Sequence, residues 1–319
     1  MLNADPRVQF AQPDFVYDTF GQVTAVAPEP YDALSYGARL TRSDRARGFV
    51  DGQGVRVAII DTGVDVQQVD LVDQLAESRD FTGLGFSADI HGTQVAGILS
   101  AKPGNGAGIS GVAPGAAVLA LKSCQPSSAQ SVRARCWSSA LVKGLDYAAG
   151  QRVDIVNMSV GGRREDRLLQ LGVGTAVDRG AAVVAAAGNE GPNGPPSYPA
   201  ALDGVLAVTA VDAGRQLYRY ATQGAFVDFS APGVEIVSTA PGNQFPVCSG
   251  TSFATAYVSG VLALLRQASP ASSAATLVAA LQSTAQDLGA GGRDAQFGDG
   301  LINACAALRT LNPQAPACD

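Results

Sequence analysis

One histidine, one tryptophan and two methionines are all that 319 residues contain of those types, and charged side chains make up only 16% of the chain. The lone His91 is the most restrictive scarcity, because any mechanism that needs an imidazole must use it. Positive charge is also short: 22 Lys and Arg face 28 Asp and Glu, a net charge of −6. That balance lacks the basic surface a phosphate backbone demands, which excludes a nucleic-acid partner. No apolar run reaches bilayer length, and the opening MLNADPRVQF has neither the cationic nor the apolar stretch of a signal peptide. The chain as given therefore reads as soluble, without a membrane span, and we expect a monomer. It contains no fixed-period repeat and no low-complexity tract.

Hydrophobic residues account for 46%, enough to bury a large core in one main domain. The five cysteines, Cys124, Cys136, Cys248, Cys305 and Cys318, lack zinc-site spacing. They read as disulfides of an oxidising compartment with one thiol left over, a cytosolic protein with reduced thiols being the alternative. Cys124 and Cys136 bracket the loop CQPSSAQSVRARC and form the first expected pair; Cys305 with Cys318 is the second, leaving Cys248 free.

The first thirty residues alternate prolines, acids and scattered aromatics and read as an extended arm outside the core. From Val55 the texture changes. VRVAIID (55–61), AAVLALKS (116–123), VDIVNMSV (153–160), AAVVAAAG (181–188) and VLAVTAV (205–211) look like strands buried on both faces. Between them, 138–150 and 165–180 carry apolar residues at helical spacing and close on glycine. Strands alternating with helices predict a three-layer α/β fold around a mostly parallel sheet with right-handed crossovers. Two shorter strand-like pieces, VDFSAP and VEIVSTAP, precede 250–267, the strongest helical pattern in the chain, and a further helix is expected around 272–284.

The candidate site begins from His91. It opens GTQVAGILS, a small-residue helix start that lets backbone pack closely beneath an imidazole. Asp61 ends the apolar strand VRVAIID, at the carboxyl edge where parallel sheets present functional groups. Ser252 begins the long buried helix, whose first amides can stabilise a developing negative charge. Order then discriminates. In α/β-hydrolases the histidine comes last, after a G-x-S-x-G elbow, and the chymotrypsin order places an aspartate between histidine and serine. Here the best-placed aspartate comes first, leaving Asp–His–Ser.

DTGVD (61–65), HGTQVAGIL (91–99), AAAGNEG (185–191) and SGTSFATA (249–256) resemble the four signature blocks of the subtilisin-like serine proteases, from about Tyr31 to Leu308. The resemblance implies a subtilisin-like fold and a serine endopeptidase acting on polypeptides through an acyl-enzyme. Ser252 would be the nucleophile, His91 its general base and then acid, Asp61 the group that orients the imidazole, and Asn189 an oxyanion-hole donor. Departures are Ala256 where the family commonly has proline, Gln94 where it commonly has a second histidine, and Ile90 in place of a frequent glycine. Alanine is a better helix former than proline and Gln94 lies outside the triad, so neither should alter the chemistry.

By the same resemblance Ser159, Val160, Gly161 and Gly162 form one wall of the primary specificity pocket, Ala185, Ala187 and Gly188 another, and Ser197 the floor. Such a pocket should prefer apolar residues before the scissile bond, leucine or methionine above tyrosine because the serine takes up depth. Asp32, Asp70 and Asn105 fall where the family binds structural calcium, with carbonyls of Pro103, Ala107 and Ile109 available; a solvated glycine loop without metal is the alternative. The literal G-x-G-x-x-G of Gly106, Gly108 and Gly111 precedes a strand rather than following one, which excludes a dinucleotide fingerprint. Residues 5–18 resemble the tail of an inhibitory propeptide. The expected organisation is an arm over 1–29, a catalytic domain over 30–311 and a tail over 312–319, in a secreted or periplasmic protein. A protease-like binding protein without turnover and an esterase are the rival readings.

Overall fold

The structure is a computed structural model and describes residues 14–19, 22–26 and 31–315. Its strands are β1 (Val16–Thr19), β2 (Gln22–Val26), β3 (Arg56–Asp61), β4 (Leu75–Asp80), β5 (Ala117–Lys122), β6 (Cys124–Pro126) and β7 (Ala134–Trp137), then β8 (Ile155–Met158), β9 (Val160–Gly161), β10 (Ala182–Ala186), β11 (Val205–Val211), β12 (Val227–Pro232), β13 (Ile236–Val237) and β14 (Pro246–Ser249). Helices are α1 (Tyr36–Leu40), α2 (Ser43–Ala46), α3 (Ile90–Ser100), α4 (Ser138–Gly150), α5 (Arg167–Asp178), α6 (Thr251–Ala268), α7 (Ala274–Gln282) and α8 (Ala304–Leu311).

Seven strands form one sheet in the order β12-β11-β10-β8-β3-β5-β4, with every pairing parallel. The alternation of side chains across each strand divides the core in two. Val57 and Ile59 of β3 with Val118 and Ala120 of β5 face the layer of α3, α6 and α8. Ala58, Ile60, Leu119 and Leu121 face α4 and α5 on the other side. Strands flanked by helices on both faces cannot afford polar alternation, which is why they read as continuous apolar runs. Helix α6 is buried at every residue from Thr251 to Leu265, as an all-round apolar helix must be.

All five predicted apolar runs are strands of this sheet, joined by VDFSAP as β12 and by β4, which LAESRD did not suggest. β4 is an edge strand with exposed and half-buried residues only, so it has no apolar face to reveal it. Of VEIVSTAP, only Ile236–Val237 forms a strand, in a small sheet ordered β13-β14-β2. A four-stranded sheet ordered β6-β7-β1-β9 completes the fold, and through it the N-terminal arm joins the body. Tyr17 of β1 is only 1% exposed and belongs to the core shared by α4 and α5, so the arm is extended but not outside the core. Among the described residues, no helix is long and apolar enough to cross a membrane.

Candidate active site

The carboxyl ends of the parallel strands carry the site. Asp61 closes β3, fully buried, and its Oδ1 accepts from the Thr62 N–H at 2.6 Å and lies 2.8 Å from His91 Nδ1. A proton on Nδ1 directed at this carboxylate leaves the lone pair of the imidazole on Nε2. His91 is the second residue of α3 and is held there by backbone proximity: Gly92 N–H donates to Thr62 Oγ1 at 2.8 Å, and a Cβ on Gly92 would lie 2.6 Å from the carbonyl oxygens of both Thr62 and Gly63. Only glycine permits that approach.

Ser252 is the second residue of α6, 0% exposed, and its hydroxyl donates to the carbonyl of Ser159 at 3.1 Å. Ser159 in turn donates its hydroxyl to Ser252 O at 2.8 Å. The ring of the next residue, Phe253, sits 5.8 Å from the His91 ring, centroid to centroid, so the start of α6 packs against the start of α3. Asn189 follows the end of β10. Its Oδ1 accepts from Thr251 N–H at 3.1 Å and Thr251 Oγ1 at 3.0 Å, which aims the amide group at the start of α6 with the donor-bearing nitrogen on the opposite branch.

Segments expected to wall a specificity pocket are neighbours. Val160 and Gly161 form β9, and Gly162 exchanges both backbone hydrogen bonds with Tyr198. That contact brings Ser197 to Gly188, where the Ser197 Cβ would lie 3.3 Å from an added Cβ. Ala187 is buried beside them, whereas Ala185 lies within β10 and packs in the core. A cavity of about 330 Å³ opens here between Gly161, Gly162, Glu190, Ser197 and Thr222, with Asp18 of the arm on its edge. The Ser197 hydroxyl is buried without a hydrogen-bond partner among the described residues.

The arm crosses this site in two pieces. β1 lies antiparallel between β7 and β9, with Asp18 opposite Gly161 and Thr19 opposite Val160. β2 pairs antiparallel with β14, the strand that leads through Gly250 into Ser252. Tyr17 points into a pocket against Gly162, where an added Cβ would stand 2.6 Å from its ring. Burial, then the Asp166 carboxylate beside it, push the Tyr17 phenol far above its usual pKa. Cys124 and Cys136 are disulfide-bonded as expected and lie opposite each other in the β6-β7 hairpin, whose inner strand, β7, pairs with the arm. Cys305 is disulfide-bonded; its expected partner Cys318 lies outside the described residues. Cys248 is free and buried, and burial pushes its thiol well up.

Asp70 and Asn105 do meet. Fully buried Asp70 accepts from Asn105 Nδ2 at 2.8 Å and from the Ile109 N–H at 2.8 Å, while Asn105 Oδ1 accepts from Ala107 N–H at 2.9 Å. Oxygen donors suited to a hard cation are present, but calcium would require the Asn105 amide to turn its oxygen toward Asp70. The third residue of the expected set, Asp32, has its side chain outside the described residues. Among the described residues no cluster of three or more metal-binding side chains occurs. Gly106 and Gly108 of the glycine loop have positive φ, 82° and 59°, and the loop leads to β5, not to a helix.

The profile of the family described as Subtilase family matches residues 52–300. The chain belongs to the subtilase family. Thermitase of Thermoactinomyces vulgaris is 35% identical over 285 residues, covering 88% of this chain and 98% of thermitase. Subtilisin DY of Bacillus licheniformis is 37% identical over 284 residues, covering 86% and 99%. The minor extracellular protease Epr of Bacillus subtilis is 37% identical over 256 residues, 79% of this chain but 38% of Epr. As a subtilase the chain is a serine endopeptidase of the subtilisin-like α/β fold, acting on polypeptides.

Sequence reasoning missed several residues of this subtilase's site region. Thr251, which holds Asn189, and the buried pair of Asp89 and Lys122 were not singled out. A lysine ending the apolar run AVLALK was the one available signal for the pair.

Proposed function

We propose that this subtilase cleaves peptide bonds with Ser252 as nucleophile, His91 as general base and then acid, Asp61 as the group that orients and stabilises the imidazolium, and Asn189 with the Ser252 backbone N–H as oxyanion donors. The observation that carries the reading is the 2.8 Å contact of His91 Nδ1 with buried Asp61, because it fixes the tautomer that leaves Nε2 basic. Ser252 Oγ attacks the scissile carbonyl as His91 takes its proton; the tetrahedral oxygen collects charge at the start of α6 and beside Asn189. The proton then passes to the leaving amine, and water repeats the sequence on the acyl-enzyme. Labelling with a fluorophosphonate followed by peptide mapping tests the assignment. Modification at Ser252 that is absent in Ser252→Ala supports it; modification elsewhere, or none in folded protein, refutes it. Asn189→Ala should lower turnover roughly 10²–10³-fold with binding little changed, the loss known for this donor in subtilisin itself.

The arm supplies the substrate geometry. A strand inserted antiparallel between two enzyme strands, continued past the nucleophile along β14, is how an extended peptide is held by strand addition. The β1-β9 pairing places Thr19 opposite Val160, next to Ser159, whose carbonyl holds the Ser252 hydroxyl. We read the arm as a propeptide tail that occupies the place of an extended substrate. N-terminal sequencing of purified protein checks this: wild type should have lost Val16–Thr19, while Ser252→Ala retains them. The cavity at Ser197, beside β9, is proposed as the acceptor of an apolar side chain before the scissile bond. Calcium, bound by Asp70 and Asn105 with neighbouring carbonyls, is proposed as a structural ion only. Extracellular action is proposed from the disulfides and from the relative named as an extracellular protease.

A further inference from the structure

Lys122 is the last residue of β5 and the register partner of Asp61, yet its side chain is completely buried. A lysine ammonium taken out of water is costly unless paired. Its Nζ lies 2.9 Å from Asp89 Oδ2 and donates to Ser87 Oγ at 2.5 Å. Asp89 is two residues before His91, at the position that opens α3, but its carboxylate makes no cap to that helix. Instead Oδ2 also accepts from the Gly63 N–H at 2.8 Å, and both carboxylate oxygens accept from Ser87 Oγ at 2.9 Å. The backbone carbonyl of Asp89 binds the helix itself, accepting from Thr93 N–H at 3.2 Å and Thr93 Oγ1 at 2.5 Å. Thr93 Oγ1 then accepts from Asp65 N–H at 2.9 Å.

One carboxylate therefore joins three separate pieces of chain: the loop after Asp61, the end of β5 and the segment entering α3. We propose that Lys122 and Asp89 are a positioning pair for the reaction, fixing the Asp61 loop against the helix that carries His91. The inference rests on the triad reading given above. Replacing a buried ion pair by apolar residues of similar volume is commonly neutral for stability. What such a replacement removes here is the anchor of Gly63, two residues from Asp61, and hence the register between carboxylate and imidazole.

The test uses the full chain, in which a single histidine makes the imidazole spectrum that of His91 alone. Lys122→Met/Asp89→Leu fills the volume without the bridge. We expect a folded protein with kcat on a short chromogenic peptide reduced about 10- to 100-fold, KM unchanged, and the proton resonance of His91 Nδ1–H displaced or broadened. The neutral double variant Lys122→Gln/Asp89→Asn retains an acceptor for Gly63 N–H and should recover most of the kcat and the His91 resonance. A folded Lys122→Met/Asp89→Leu protein with wild-type kcat and an unmoved His91 signal would overturn the proposal. So would an amide variant that rescues neither quantity. The failure of the triad reading looks different: there the wild-type fluorophosphonate adduct maps away from Ser252, which removes both proposals together.

Discussion

Gly92→Ala is a one-carbon perturbation whose consequence follows from the close approach of α3 to the Asp61 loop. The new Cβ would lie 2.6 Å from the carbonyl oxygens of Thr62 and Gly63 and 3.0 Å from Thr62 Oγ1. Ordinary contact begins near 3.4 Å, so α3 and the Asp61 loop must separate by about 0.8 Å at this point. Neither side yields easily, because the obstructing atoms are backbone and both elements are anchored in the core. His91 Nδ1 and Asp61 Oδ1, now 2.8 Å apart, would move beyond good hydrogen-bond distance, and the Gly92 N–H to Thr62 Oγ1 bond would stretch with them. Misplacement of reacting groups by about 1 Å costs on the order of 100-fold in rate. Overpacking of this kind destabilises by about 1–3 kcal/mol. The assay is kcat and KM on a short peptide with thermal melting of the same preparation. We expect kcat down about 30- to 100-fold, KM little changed and a lowered Tm. A variant that keeps wild-type kcat would refute the claim that close backbone approach sets the Asp61–His91 geometry.

Tyr17→Ala in a Ser252→Ala background should weaken arm docking by about 3 kcal/mol, the cost of emptying an aromatic site. Hydrogen exchange of the Val16–Thr19 amides would then speed up about 100-fold, and unchanged protection would show that the Tyr17 pocket does not hold the arm. Peptide mapping without reductant should find Cys124 joined to Cys136, a link adding about 2–3 kcal/mol. Cys248 should alkylate only on unfolding, since burial raises its pKa and withholds the thiolate at neutral pH; rapid alkylation of Cys248 in native protein would contradict this. If Asp70 and Asn105 hold calcium, a chelator should lower Tm and added calcium restore it by mass action, with no such effect in Asp70→Ala; a Tm indifferent to both removes calcium from the site. Ser197→Gly should deepen the pocket and shift a peptide-library ranking of kcat/KM from leucine and methionine toward aromatics, and aromatics already leading in wild type would refute a serine-limited floor.

The sequence by itself determined the sheet and the residues to examine at its edge. Runs such as VRVAIID and AAVVAAAG are apolar on both faces because helices cover both faces, so composition alone marks them as strands. The single histidine and the order Asp61, His91, Ser252 narrow the chemistry, since residue type and chain order are properties of sequence. Polar strands escaped it: β4 pairs on one edge and presents no buried face, so LAESRD carries no periodic signal. Only the tertiary structure decided what depends on contacts between distant segments. Tyr17 is buried by residues more than a hundred positions away, and nothing local in DFVYD distinguishes a docked strand from a solvated arm. Lys122 and Asp89 are 33 residues apart and unremarkable singly; a parallel sheet that ends β5 beside β3, and a helix that starts above both, turns them into a buried pair. The apolar pattern records which faces are buried, but long-range pairing of polar groups has no period to record, and it is set only when the chain closes.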